Sequence, residues 1–307
     1  MRILFISREK KAGEVSIIIH NQGHSLVSKG VAVSYYPISG SGFIGYIKSI
    51  KQLFNIRKSY DIFHAHYSLT GFIVALAFCK PTVVSLMGSE VYSHFAIKYL
   101  IRVFAKFIWS KTIVKSKKIK DELKIKSCSV IPNGVDLGKF KPIERYVAQQ
   151  KLGWDYNKKH ILFASDPDRF EKNYPLAKSS IDLLSSCDIE IHFIKNKPNE
   201  KLYLYYSACN VLLLTSLWEG SPNVIKEGMA CNAQIVSTDV GDVKELFGYT
   251  YGLAIVDNSP KNIANALLKA ISMNNRSEGR NRIVELGIDS SSIADSLIYE
   301  YNKIRKH

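Results

Sequence analysis

Val211-Leu212-Leu213-Leu214-Thr215-Ser216-Leu217-Trp218-Glu219-Gly220-Ser221-Pro222-Asn223-Val224-Ile225-Lys226-Glu227-Gly228-Met229-Ala230-Cys231 reads as a strand, a loop and a helix. Residues 211–214 form a short apolar run, the pattern of a strand buried on both faces. Residues 219–223 have turn composition, with Gly and Pro as punctuation. Pro222 suits a first helical position, where its missing N–H would have no helical partner anyway, and Ser221 before it can cap. The helix is predicted from Asn223 through Ala230, with Asn232 closing it.

This unit points to an anion. In open α/β sheets, ligands lie outside the carboxyl ends of the strands. A helix N-terminus placed there offers unpaired N–H groups and a positive dipole end, which suit a phosphate. Glu219 before the loop and Glu227 two turns into the helix read as acceptors for hydroxyl groups. Phosphate, ribose and sugar hydroxyls together describe a nucleotide-sugar.

Glu219 and Glu227, seven residues between them, resemble the E-x7-E signature of the retaining GT-B glycosyltransferases of family 4, the group 1 transferases. Two further stretches carry the resemblance in order. Ile131-Pro132-Asn133-Gly134-Val135-Asp136, followed by Phe140 and Pro142, is similar to the family's segment at the end of the N-terminal domain. Asp166-Pro167-Asp168-Arg169-Phe170-Glu171-Lys172-Asn173 is similar to its phosphate-binding segment. The resemblance implies an α/β fold of GT-B type: two Rossmann-like domains facing a central cleft, with a C-terminal helix crossing back to the first. The domains are expected at 1–145 and 146–289, with 290–307 as the returning helix.

The resemblance also implies roles. Arg169 and Lys172, with Asn173 beside them, hold the donor diphosphate and stabilise the leaving group. Glu219 contacts the donor sugar and Glu227 the ribose hydroxyls. The segment Gly220-Ser221-Pro222-Asn223-Val224 lines the phosphates. The basic pair makes a metal unnecessary, so neither metal nor cofactor is expected beyond the donor substrate. A double displacement would need a nucleophile beneath the anomeric carbon, and none is identifiable. The family implies a same-face reaction with retention, a hexosyl transfer from a UDP- or GDP-sugar to a glycan or lipid-linked acceptor, in cell-surface polysaccharide or glycolipid biosynthesis.

The 307 residues suffice for two domains, and 46% hydrophobic with 22% charged residues fits a globular chain. Cys79, Cys128, Cys187, Cys209 and Cys231 show no C-x-x-C or metal spacing and read as reduced core thiols. Residues 1–7 are too short an apolar run for a signal peptide and read as a first strand. Residues 71–79 are too short to span a bilayer, and 96–108 carry charges. A cytoplasmic protein is expected, with a peripheral position on the inner face of the plasma membrane as an option.

Net charge is +15, which favours acidic partners. Much of it lies in 98–126. Lys98, Arg102 and Lys106 share a helical face with Phe, Tyr and Trp residues between them, and Lys111, Lys115, Lys117, Lys118, Lys120, Lys124 and Lys126 continue the run. Two readings stand: an amphipathic surface for an anionic membrane, or a solvated face on an ordinary core helix. No nucleic-acid recognition motif accompanies the charge.

His66, at the end of a strand predicted at 61–66, reads either as a ligand- or proton-handling group or as a locally satisfied histidine. At Met87-Gly88-Ser89-Glu90 many family members have His-Gly-Ser/Thr-Asp; Met87 cannot donate a hydrogen bond, so any help from that His is absent or comes from elsewhere, such as His66. The first loop, with Gly13, has no G-x-G-x-x-G, which argues against a dehydrogenase-type dinucleotide site. Residues 140–158 read as a polar inter-domain connection, and loops 8–23 and 39–45 as the acceptor side. Other activities on the same scaffold stay open: a sugar-nucleotide epimerase or hydrolase, or a non-catalytic nucleotide-sugar-binding partner.

Overall fold

A computed structural model describes residues 1–10, 13–40, 42–184, 188–273 and 275–305. Parts of two expected acceptor loops (Lys11, Ala12, Ser41), Cys187, and the last two residues of the expected returning helix lie outside the described residues. The chain forms two compact units: 1–134 joined by the segment from Ser290, and Val135–Asp289.

The first unit is built on β1 (Arg2–Arg8), β2 (Ala32–Ile38), β3 (Ile62–His66), β4 (Thr82–Leu86), β5 (Lys111–Val114) and β6 (Ser129–Val130), in the order β2-β1-β3-β4-β5-β6 and parallel throughout. β3 and β4 are buried at every position, as expected for inner strands of a parallel sheet with both faces covered. The helices are α1 (Ile17–Val27), α2 (Gly42–Ile56), α3 (Ser68–Leu76), α4 (Phe95–Phe107) and α5 (Lys117–Leu123). The apolar run at 71–79 is thus largely α3, whose Ile73 and Val74 join Phe63, Val84 and Trp109 in one core.

The second unit opens with α6 (Arg145–Leu152) and continues through β7 (Lys159–Phe163), α7 (Tyr174–Ile181), β8 (Ile189–Phe193), α8 (Leu202–Ala208), β9 (Val211–Leu214), α9 (Asn223–Ala230), β10 (Ile235–Thr238), α10 (Val243–Phe247), β11 (Leu253–Val256), α11 (Pro260–Ser272) and α12 (Gly279–Glu285). Its parallel sheet has the order β11-β10-β9-β7-β8. The order reverses between β7 and β9, the kind of switch point at which open α/β sheets bind ligands.

Three expectations shift. The unit boundary falls at Gly134/Val135 rather than at 145. Residues 135–144 belong to the second unit because Val135 pairs with Asp289 and the Arg280 guanidinium donates to the Leu137 and Phe140 carbonyls, both at 2.8 Å. Residues 140–158 are not a plain connection, since α6 forms there and buries Ala148 and Gln149 despite its polar sequence. Pro222 is the residue before the helix rather than its first, and Ser221 makes no cap, because its hydroxyl is turned to Lys226.

The last helix, α13 (Ser290–Arg305), packs in the first unit. Tyr301 is fully buried, with its hydroxyl 2.5 Å from His64 Nδ1, and the opposite ring nitrogen of His64 lies 2.8 Å from Ser85 Oγ. Glu300 takes Lys111 Nζ at 2.8 Å and the Ser129 hydroxyl at 2.7 Å. These contacts tie α13 to β3, β4, β5 and β6. Among the described residues no helix is long and apolar enough to cross a membrane.

Candidate functional site

The loops after β7 and β9, the two strands at the switch point, meet in the second unit. After β7 the chain makes a short 3-10 turn, Phe170–Lys172, and Asn173 takes a left-handed conformation (φ 52°) before α7. Asn tolerates that region better than other non-glycine residues. Thr215, just past β9, donates its hydroxyl to the carbonyls of Lys172 and Asn173 at 3.1 and 3.0 Å. Leu217 N–H donates to the Glu171 carbonyl at 2.8 Å, and Thr238 Oγ1 to the Ser216 carbonyl at 3.1 Å. The ends of β7, β9 and β10 are thereby fastened to one another, and side chains on one loop are placed by the others.

Lys172 Nζ lies 2.5 Å from Glu219 Oε1, and the Ser216 hydroxyl donates to the same oxygen at 2.8 Å. The two side chains are only 10% and 15% exposed, so this is a largely desolvated, charge-assisted contact. Arg169 is different. It is more than half exposed and pairs with Glu171 of its own turn. Lys195 binds both Asp166 and Asp168, so the Asp-Pro-Asp run is neutralised by a lysine.

Glu227 is half-buried on α9. The Tyr206 hydroxyl of α8 donates to its Oε2 at 2.7 Å. Burial pushes the Glu227 carboxyl up to about 7, opposed by that hydrogen bond and by the charges of Lys139 and Lys226. Lys226, 1% exposed, donates to Ser221 Oγ at 3.1 Å and brings the loop onto α9. Burial lowers its ammonium to about 8, offset by the charges of Asp242 and Glu227, and burial raises Asp242 in turn. Gly241 (φ +60°) closes the set: a Cβ there would stand 2.9 Å from the Gly220 carbonyl oxygen, so the loop before α10 can rest on Glu219 and Gly220 only as glycine.

Of the residues expected here, Lys172 and Glu219 are joined directly, while Asn173, Gly220, Ser221, Pro222, Asn223, Val224 and Glu227 lie on the same loops or the first turns of α9. Sequence reasoning passed over Thr215, Ser216, Tyr206, Lys226, Gly241 and Asp242. Their signal is weak because each acts through a partner on another element. Among the described residues one cluster has metal-ligating composition, His160, Glu190 and His192. It lies within β7 and β8, not in these loops.

In the first unit a cavity of about 430 Å³ opens at the carboxyl ends of β1, β3 and β4, lined among others by Arg8, Lys10, Tyr46, Tyr67 and Glu90. Its floor is set by Glu90, 3% exposed, whose carboxylate accepts N–H groups of Met87 (3.1 Å), Gly88 (2.9 Å) and Ser68 (3.2 Å). Glu90 therefore shapes the loop that Met87 begins. His66 does not line this cavity. It is fully buried, stacked on His64 (4.5 Å, 16°) and edge-on to Phe5, and burial followed by the Lys115 charge lowers its imidazole well below the ordinary range.

The basic run divides. Lys115 is buried at 1% exposure and leaves the expected charged surface, because it directly follows the buried strand β5. Lys111 is engaged by Glu300, while Lys106, Lys117, Lys118, Lys124 and Lys126 remain exposed. α4 buries Ile101 and Ala105 and leaves Phe95, Tyr99 and Phe107 at 76%, 63% and 71% exposure.

Comparison with known proteins accords with this geometry. Residues 9–139 match the family model Glycosyltransferase Family 4, and residues 175–288 match Glycosyl transferases group 1. TuaC of Bacillus subtilis, a glycosyltransferase named for teichuronic acid biosynthesis, is 26% identical over 68% of this chain; the aligned part spans 61% of that relative's length. Sucrose-phosphate synthase from Thermosynechococcus elongatus superposes with a TM-score of 0.77 at 17% identity, covering 98% of each chain. HepE of Anabaena, solved with UDP and glucose, gives a TM-score of 0.77 at 15% identity over 99% of this chain and all of the other. With two family models matched in series and a two-sheet fold shared along the whole chain, this protein belongs to the family 4 glycosyltransferases of the group 1 type and has their GT-B fold.

Proposed function

We propose that the chain transfers a hexosyl group, with retention of configuration, from a nucleotide-diphosphate sugar to a glycan or lipid-linked acceptor. The observation that carries this reading is the Lys172–Glu219 pair with a half-buried Glu227 on α9, all on the loops and helix at the β7/β9 switch point. A cation and the helix N-terminus suit a diphosphate, and the two carboxylates suit hydroxyl-rich groups. In the proposed roles Lys172 and Arg169 neutralise the leaving diphosphate, Asn173 and Gly220 to Val224 line it, Glu219 holds the sugar, and Glu227 accepts ribose hydroxyls. Arg169 must leave Glu171 to take part, and its exposure permits that. No metal or cofactor is required. His66, neutral and enclosed, has no direct part in the proton transfer; the leaving phosphate takes the acceptor's proton.

HepE was solved with UDP and glucose, which supports a uridine donor ahead of a guanosine one. A thermal-shift panel of UDP-, GDP-, ADP- and CMP-sugars tests the donor reading. One nucleotide class should raise Tm by mass action, and Arg169→Ala should lose most of that shift while keeping the unliganded Tm, since its ion pair is exposed. Stabilisation by no nucleotide class, or equal stabilisation of the variant, counts against it.

The acceptor side is proposed to meet an anionic membrane surface, placing the enzyme at the cytoplasmic face in polysaccharide or glycolipid synthesis. Support comes from the outward Phe95, Tyr99 and Phe107 with lysines nearby, and from the name of the TuaC relative. Co-sedimentation with phosphatidylglycerol vesicles at low salt is the test. Binding should fall at least tenfold in a Phe95→Ser/Phe107→Ser variant and with added salt. Absence of binding to the unmodified protein at low salt removes the proposal.

A further inference from the structure

The second unit carries a group of side chains that the transferase reading does not use. In β7 and β8, His160 is paired in register with Glu190, and Leu162 with His192. Side chains alternate along a strand, so Glu190 and His192 leave β8 on one side, and that side also bears His160. Their ligating atoms (His nitrogens and a carboxylate oxygen) lie within 4.8 Å of one another. Other elements fix both rings. His160 is fully buried, with Nε2 2.8 Å from the Asp155 carbonyl oxygen. A carbonyl only accepts, so Nε2 carries a proton, and in the neutral ring Nδ1 is then the nitrogen with the lone pair. That lone pair faces His192 Nε2 at 2.9 Å. Trp154 stacks flat on His192, with ring centroids 3.5 Å apart and planes 8° from parallel.

We propose that His160 Nδ1, His192 Nε2 and a Glu190 carboxylate oxygen form a binding site for one divalent transition-metal ion of the zinc type. The Asp155 contact is the feature that distinguishes this cluster from an ordinary histidine pair. A ligating histidine commonly donates its second N–H to a carbonyl or carboxylate, which fixes the tautomer and aims the other nitrogen at the metal. Two imidazoles and a carboxylate are a borderline-soft N,N,O set that suits zinc over calcium or magnesium, with a fourth position left for water. In the metal-free state the His160 lone pair is answered by the proton on His192 Nε2. Binding displaces that hydrogen bond: the His192 proton moves from Nε2 to Nδ1, giving the other neutral tautomer, and both lone pairs meet the ion.

Two nitrogens on a tetrahedral zinc stand about 3.4 Å apart, given Zn–N bonds of about 2.0–2.1 Å. The rings must therefore part by about half an ångström. β8 allows this, because it is the sheet's edge strand and is paired only with β7. Loaded, the ion joins the edge strand to β7 and to the Trp154–Asp155 segment after α6. Its place is structural, within β7 and β8 and not in the loops that carry Lys172 and Glu219. The inference does not depend on the donor assignment.

The test uses the full chain, stripped with a chelator, dialysed and titrated with zinc chloride. One equivalent of zinc retained by elemental analysis and a rise in Tm are expected. Glu190→Gln and His192→Gln should each weaken zinc binding by at least about 100-fold, the upper end of what losing even an outer partner costs. Glu190 and His192 are only half-buried, so both variants are expected to fold. Copper or nickel should quench tryptophan fluorescence, and Trp154→Phe should abolish most of that quenching while zinc is retained. Absence of bound zinc and of any Tm shift in the unmodified protein overturns the site. Zinc bound equally well by both ligand variants also overturns it, since the ion then sits elsewhere.

Discussion

Replacing Lys172 with alanine is expected to lower kcat/KM by about 100- to 1,000-fold, the range for removing one preorganised group that meets transition-state charge. The same change should lower stability. Glu219 is 15% exposed and shares its Oε1 between Lys172 Nζ (2.5 Å) and the Ser216 hydroxyl (2.8 Å). Without the ammonium, a mostly desolvated carboxylate loses its counter-ion, a change that costs about 3 kcal/mol in buried pairs. Two effects are thus superimposed, and a second variant separates them. In Lys172→Ala/Glu219→Gln no charge is stranded, so Tm should recover most of the loss. Activity should not recover, because neither the cation proposed for the diphosphate nor the carboxylate proposed for the sugar is restored. Steady-state kinetics and melting curves on the two variants decide the matter. An activity within threefold of the parent in Lys172→Ala would remove Lys172 from the donor site, leaving the pair a structural clamp between the two loops.

The residues of that clamp show how far the sequence could be read. Strand 211–214, the loop and helix 223–230 follow from local pattern alone: an apolar run, Gly and Pro punctuation, then helical spacing. The structure places the helix at those residues. The cap was misread because Ser221 finds a partner five residues on, in Lys226, and a propensity rule for caps does not see that contact. The two-sheet α/β fold was legible because the inner strands carry apolar runs, such as Ile3–Ile6 in β1 and Val211–Leu214 in β9. Helix α6 was not, because its sequence is polar and only its packing buries Ala148 and Gln149.

Charge runs mislead in the same way. Lys115 sits among lysines in sequence, yet it follows a strand buried on both faces and turns inward. The groups that complete the site are the least legible of all. Tyr206 reaches Glu227 from a preceding helix, Thr215 fastens the turn after β7 from the end of β9, and Gly241 lies against Gly220 from beyond β10. His160 and His192 become neighbours only through the parallel register of β7 and β8. Each pairing is set by topology, and no spacing in the sequence encodes it.

Glu227 makes the second large prediction, a steep pH dependence of donor binding. Burial holds its carboxyl at about 7, against an ordinary value of 4.5. A ribose hydroxyl donates best to the ionised form. Below pH 7 binding must include loss of the proton, and donor affinity is expected to fall about tenfold per pH unit, about 100-fold between pH 7 and pH 5. Titration calorimetry or fluorescence with an intact sugar-nucleotide checks this, since its diphosphate diester does not titrate there. Glu227→Gln should bind weakly at pH 8 and show a flat profile; a variant that keeps the parent's slope would move the titration to another group.

The unliganded protein should respond in the opposite sense. A folded-state value above the unfolded one means the native protein holds a proton that the unfolded chain has released between about 4.5 and 7. The group's contribution to stability is therefore complete below 4.5 and is lost as pH rises through 7, roughly 3 kcal/mol from the size of the shift. Lys226, lowered from 10.5 to about 8, acts the other way: the native state releases its proton first, so stability rises with pH across that window. Together they place a trough in stability between pH 7 and 8, where both groups carry the charge that desolvation penalises and Tyr206 donates to Glu227. With Glu227 in its proposed role, donor binding raises stability there, because ribose hydroxyls would satisfy the carboxylate that burial penalises. Melting curves with and without donor should therefore separate fully above about pH 7 and converge towards pH 5. In Glu227→Gln the separation should be small at every pH. On the proposed donor reading, the helix thus trades native stability for an ionised acceptor that a hydroxyl-rich ligand satisfies further, a use of Glu227 that a purely structural role would not show.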